Sequence, residues 1–141
     1  MKKASLTLVT LLAISVLTLS ACSNNGTSAS PMGEWTLISY GDASKPTPAL
    51  PGIETSIHFN EDGKFGGSVG CNSFRSAYKV DGNQITFGSI ISTKMFCEGV
   101  SGQESSVFNI LTDKTVSFAV NGDQLTLTSI DNASVIVLAR K

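Results

Sequence analysis

Apolar and polar residues alternate with a period of two along most of the chain, in short runs bounded by Gly, Asn and Asp. A strand buried on one face imposes that period, because successive side chains point to opposite sides. Trp35–Ile38 opens the series, and Ser56–Phe59 follows a proline-rich connection from Lys45 to Pro51. Then come Lys64–Val69, Ala77–Val80, Gln84–Ile90, Thr115–Val120, Gln124–Ile130 and Ser134–Ala139. Asp62-Gly63, Asp81-Gly82 and Asn121-Gly122 separate neighbouring runs, and such pairs accept the positive φ of tight hairpins. The pattern predicts a mainly β fold, an antiparallel meander of about eight strands curled into a small barrel-like sheet, since curling removes exposed edges.

One segment departs from the alternation. Val107, Phe108 and Leu111 fall at helical spacing behind Ser101-Gly102-Gln103-Glu104, an S-x-x-E pattern that predicts one α-helix opened by a capping box. Glu104 shares the face of those apolar residues, which also allows it to be a buried acid or base. Its place in the capping box favours reciprocal capping. Val80–Ile90 and Val120–Ile130 echo one another at an offset of forty residues. Either a hairpin was duplicated or the same turn chemistry was needed twice.

The N-terminal segment reads differently. Lys2 and Lys3, an uncharged apolar run to Leu19 and then small residues have the layout of a secretory signal, too short and wrongly flanked for a stable membrane span. Leu19-Ser20-Ala21-Cys22 resembles the lipobox of bacterial lipoproteins, in which cleavage falls before the cysteine and its thiol is lipidated. The expected division is therefore a signal peptide over 1–21, lipidated Cys22 with a flexible Ser/Asn/Gly-rich tether over 22–32, and one folded domain over 33–141. Several acyl chains on one residue anchor firmly. The protein is thus expected in the cell envelope, held to a membrane by lipid. Ser23 in place of Asp points to the outer membrane, facing the periplasm, in a Gram-negative host.

Ten Lys and Arg against eleven Asp and Glu give a net charge of −1, and losing Lys2 and Lys3 with the signal makes the rest more acidic. That balance leaves no basic footprint for nucleic acid and no polybasic patch for anionic lipid. With Cys22 committed to lipid, Cys71 and Cys97 remain as an even pair in an oxidising compartment, and a disulfide between them is expected. Zinc is the rival reading, but neither cysteine lies in a C-x-x-C and His58 is the sole histidine, so no metal is expected. A catalytic thiol would need a histidine to activate it. Alternation with Ile57 and Phe59 turns His58 away from the face they bury.

Three features coincide: Trp35-x-Leu37, the glycine-rich strand running into Gly70-Cys71-Asn72-Ser73-Phe74, and Ser92-Thr93-Lys94-Met95-Phe96-Cys97 ahead of the helix carrying Glu104. Together they resemble the META domain, the HslJ-like family of bacterial heat-shock lipoproteins, over Gly33 to about Ala139. The resemblance implies a small β-barrel with one helix, an envelope location and an association with stress response or secretion; it supplies no catalytic residues. Gly70, Asn72, Phe74, Thr93, Met95 and Glu104 are its motif positions, structural or ligand-binding. Asn72 beside a tight turn suits bonding to nearby main chain. Thr93 and Met95 are expected to pack around the crosslink. Arg75 suits either an anion at the barrel rim or a solvated surface.

These readings lead to a non-enzymatic, lipid-anchored envelope protein that acts through contacts with another envelope protein. The alternative is a carrier holding a small molecule or lipid inside the barrel, with Phe59, Phe65, Phe87 and Phe118 lining a cavity rather than filling a core. An enzyme is the weakest reading: no serine elbow, zinc helix, P-loop or dinucleotide fingerprint occurs. A carboxylate pair such as Asp62 with Glu104 would revive it. No cofactor is expected.

Overall fold

In a computed structural model describing residues 29–141, ten strands and one helix follow in chain order. They are β1 (Gly33–Asp42), β2 (Thr47–Pro48), β3 (Ser56–Phe59), β4 (Lys64–Ser68), β5 (Ser73–Asp81), β6 (Gln84–Phe87), β7 (Ile91–Ser92), α1 (Ser101–Leu111), β8 (Thr115–Asn121), β9 (Gln124–Ser129) and β10 (Ser134–Arg140). All pairings are antiparallel, in the order β10-β9-β8-β6-β5-β4-β3-β1, and β10 pairs back onto β1 from Trp35↔Arg140 to Asp42↔Ser134. The eight longer strands thus close a barrel, as the alternation predicted. The two-residue strands β2 and β7 are patches laid on β1 and β5. The predicted signal segment over 1–21 and Cys22 lie outside the described residues. Among the described residues no helix is long and apolar enough to cross a membrane.

The ladders show where alternation fails to mark strand ends. β1 begins earlier and runs on to Asp42, beyond the predicted Trp35–Ile38, because a bulge between Leu37 and Ser39 resets its phase. Trp35, Leu37 and Tyr40 are buried while Ile38 is turned out, so one extra residue keeps Tyr40 facing the core. β5 starts at Ser73 rather than Ala77, since Ser73 and Phe74 pair with Ser68 and Gly67 of β4. β6 stops at Phe87 rather than Ile90: beyond Gly88 the chain continues along β5 with its register slipped by one residue, and Ile91 and Ser92 pair with Arg75 and Phe74.

The strand directions give the barrel two distinct ends. At one, which we call the turn end, lie the β3–β4, β5–β6 and β8–β9 turns, the entry at Gly33 and the exit at Arg140. Asp81↔Gln84 and Asn121↔Gln124 close two-residue loops, each with glycine first at φ 58° and 59°. Only glycine takes that conformation cheaply. The helix end carries every longer connection, α1 included.

The interior is filled. Phe59, Phe65 and Phe87 stack on one another with centroids 4.8 to 6.1 Å apart, and Phe74 joins Phe65 to Phe108 of α1 at 5.1 and 5.3 Å. Ile85, Leu125, Leu127, Ile136 and Leu138 complete the wall, and Val107, Ile110 and Leu111 of α1 join the same core. At the turn end Trp35 is fully buried, its indole N–H donating to Pro31 O at 2.7 Å and its ring covered by the Arg140 guanidinium at 4.2 Å. The four phenylalanines proposed as a cavity lining are core side chains.

Candidate functional site

At the helix end a cluster of polar groups joins three separate connections. Its centre is Glu104, buried in the first turn of α1. The carboxylate does not take part in a capping box. The helix is capped by the backbone of Val100 with no side-chain hydrogen bond, and Ser101 is already its first helical residue. Glu104 faces inward with Val107 and Leu111, where its Oε1 accepts the backbone N–H of Cys71 at 2.7 Å and of Asn72 at 2.5 Å. Its Oε2 accepts from Asn72 Nδ2 at 2.9 Å. A long-range role displaces the local one because the buried N–H groups of the Cys71–Asn72 turn have no strand partner, and a carboxylate satisfies several donors at once.

Asn72 passes the connection on. Its Nδ2 also donates to Met95 O at 3.2 Å, while its Oδ1 accepts from Met95 N at 2.7 Å and from the Thr93 hydroxyl at 2.8 Å. Both donors and both acceptor positions of the amide are thereby used. Asn72 does serve main chain, but across the fold rather than within its own turn. Thr93 Oγ1 in turn accepts from Ser73 N at 3.2 Å. Met95 departs from expectation: its backbone is what Asn72 holds, and its side chain is 59% exposed, not packed away around the crosslink.

Gly70 is explained by crowding. A Cβ there would come 2.5 Å from Val100 Cγ1 and 2.9 Å from Glu104 Cγ, so only glycine lets the helix start this close. Phe74 is buried between the strand wall and α1. Cys71 and Cys97 are joined as a disulfide, Cα to Cα 6.1 Å, tying the same two connections covalently. Gln103, which sequence reasoning missed, sits beside Glu104 and is 1% exposed. Its Nε2 donates to Val69 O at 2.6 Å and its Oε1 accepts from Leu50 N at 2.8 Å, pinning the proline-rich connection as well. No local pattern marks it, since a glutamine in a first helical turn is ordinarily solvated.

The structure brings Gly70, Cys71, Asn72, Thr93, Met95, Cys97 and Glu104 together and leaves other candidates apart. Asp62 lies in a turn at the opposite end of the barrel from Glu104, paired with Lys64 at 2.6 Å, so the suggested carboxylate pair is not assembled. His58 is half-buried on the outer face, its ring 3.0 Å from Ser56 Oγ. Arg75 is exposed. Among the described residues no cluster of His, Cys, Asp and Glu could hold a metal. Two depressions open on the outside. One of about 700 Å³ lies between the end of α1 and β8–β10, beside Ile110, Lys114, Ile130 and Asp131. The other, about 290 Å³, lies along β5 and β7 beside Ser73, Arg75, Ile91 and Thr93.

This fold recurs elsewhere. A solution structure of a protein from Burkholderia xenovorans superposes with a TM-score of 0.63 at 22% identity, covering 77% of this chain and 81% of that one. A crystal structure of a DUF4847 family protein from Bacteroides vulgatus superposes with a TM-score of 0.54 at 17% identity, over 77% and 92% of the two chains. At these identities the likeness is one of fold. No curated protein sequence matches. The META domain family model matches residues 28–141, the whole barrel with the Gly70–Asn72 turn and the Thr93–Cys97 segment, and the chain belongs to the META domain family.

Proposed function

We propose that this META domain is a non-enzymatic protein of the cell envelope, anchored by lipid on Cys22, that acts by docking to another envelope protein in stress tolerance or secretion. The observation that carries the reading is the filled interior: the rings of Phe59, Phe65, Phe74 and Phe87 interlock where a carrier would need a cavity. Glu104, the one buried carboxylate among the described residues, accepts from three donors, which suits a scaffold rather than an acid or base. What remains for function is the outer surface and the connections at the helix end.

The test is a native mass spectrum of the full chain purified from membranes without reductant. The expected spectrum shows acyl mass on Cys22, a mass two hydrogen atoms short for the Cys71–Cys97 bond, and no bound small molecule. A discrete adduct surviving removal of the tether would instead support the carrier reading, and the open depression beside Ile110 and Ile130 is where it would sit. Cys22→Ala is expected to release the chain from the membrane fraction. Retention would sink the lipid anchor.

A further inference from the structure

The outer wall of β5 and β7, with the loop that follows, displays apolar side chains that the domain leaves uncovered. Ile91 is 60% exposed, Met95 59% and Phe96 89%. Three such residues within six positions form a patch rather than scattered surface apolar groups. The loop is held in shape: Asn72 bonds both backbone groups of Met95 and the hydroxyl of Thr93, and Cys97 is tied to Cys71. A surface fixed beforehand loses little freedom on binding.

Charge selects the kind of partner. Arg75 pairs with Ile91 in the β5–β7 ladder, so the two side chains share the outer face, and Lys94 lies in the loop itself. Neither cation enters any ion pair among the described residues. Glu98 is the nearest acid along the chain, which leaves the patch cationic on an acidic protein. Beside Arg75 and Ile91 the depression of about 290 Å³ offers a seat for one side chain.

We propose that this face docks an acidic, apolar segment of a partner protein, whose apolar side chains pack on Ile91, Met95 and Phe96 while its carboxylates meet Arg75 and Lys94. The proposal rests on the surface-acting reading above and names its surface. A bilayer is the competing occupant, but the patch belongs to the helix end whereas the chain enters at Gly33 on the turn end. An N-terminal anchor would thus join the domain at the end remote from the patch.

The experiment selects random decapeptides displayed on phage against the full chain. The expected peptides combine Asp or Glu with Phe, Leu or Met, and Phe96→Ser or Arg75→Gln weakens their binding at least about tenfold, as loss of a central contact does. Raising salt should weaken binding to the wild type and much less to Arg75→Gln. Both positions are exposed, so an unchanged thermal midpoint shows that the variants remain folded. Basic peptides, peptides indifferent to Phe96→Ser, or no enrichment at all would overturn the proposal. So would binding to phosphatidylglycerol vesicles that depends on Phe96, which would give the face to lipid. These failures leave the wider surface-acting reading standing, whereas a small-molecule adduct in the mass spectrum removes that reading whatever the peptides do.

Discussion

The two ends of the barrel are held shut by different chemistry. The turn end is built mostly from tight turns: two-residue loops led by Gly82 and Gly122, a third at Gly63 braced by the Lys64–Asp62 pair, and a Lys141–Glu34 pair where the first and last long strands meet. At the helix end only the β9–β10 connection is a short turn of this kind, with Asn132 at φ 58°. That end relies on side chains reaching 20 to 53 residues along the chain, from Glu104, Gln103, Asn72 and Thr93, together with one disulfide. Repetition and tight turns suffice where strands simply reverse, while irregular backbone demands individually placed polar groups. Irregular backbone is also where binding surfaces are built, and this domain fixes it instead of leaving it loose.

If that contrast is right, perturbing the helix end should cost far more than perturbing the turn end. Glu104→Ala leaves the N–H groups of Cys71 and Asn72 and the Asn72 amide without their acceptor, and we expect a loss of about 3 to 5 kcal/mol in denaturant unfolding. A loss under about 1 kcal/mol would show that water replaces the carboxylate and that the cluster holds little together. Cys71→Ser and Cys97→Ser should each cost about 3 to 4 kcal/mol for a loop of this size, and equally, because either one opens the same bond. Unequal losses would mean that one cysteine does more than form the crosslink. Gly82→Ala and Gly122→Ala place a Cβ in the left-handed region but in open space, so each should cost only about 1 to 2 kcal/mol.

The smallest effect separates the ends by salt. Hydrogen bonds from Lys141 to Glu34 and from Lys64 to Asp62 hold these turn-end carboxyls below their ordinary 4.5 and 3.8. At the helix end Ser44 does the same for Asp42, and Ser129 for Asp131, both from 3.8. A folded-state pKa below the unfolded value adds stability that is present above the unfolded pKa and lost as pH falls through the folded one. Thermal stability should therefore decline gently below about pH 4.5. Asp42, Asp62 and Asp131 are exposed and Glu34 is half-exposed, so the decline should be shallow. Carboxyl titration by NMR should show high salt relaxing Glu34 and Asp62, whose partners are charged, more than Asp42 and Asp131, whose leading partners are neutral hydroxyls. Equal relaxation at both ends would erase the distinction.

Much of the barrel could be read from the sequence because its strands obey a local rule, alternation broken by glycine turns. The misplaced strand ends fall where that rule stops applying. The bulge at Ile38 inserts a residue that alternation counts as an error, and Ser73–Ser76 carries one buried side chain, too few to mark a strand. The cysteine pair was legible from its number and from the oxidising compartment expected for it. The role of Glu104 was hidden by a motif that fits it locally, since S-x-x-E describes a helix start whether or not the glutamate turns back to it. Gln103 carried no signal at all: its partners, Leu50 and Val69, are main-chain groups brought near only by the finished fold.

The ring closes where the first long strand meets the last, Trp35 against Arg140, about a hundred residues apart along the chain. A chain emerging N-terminus first can form its hairpins one after another, yet β1 lacks its longest partner until β10 has followed. Barrel closure is then a single late event, with the loop-closure entropy of nearly the whole domain set against the β1–β10 ladder. Such a protein stays open throughout its synthesis and becomes a finished ring only once its last strand is free.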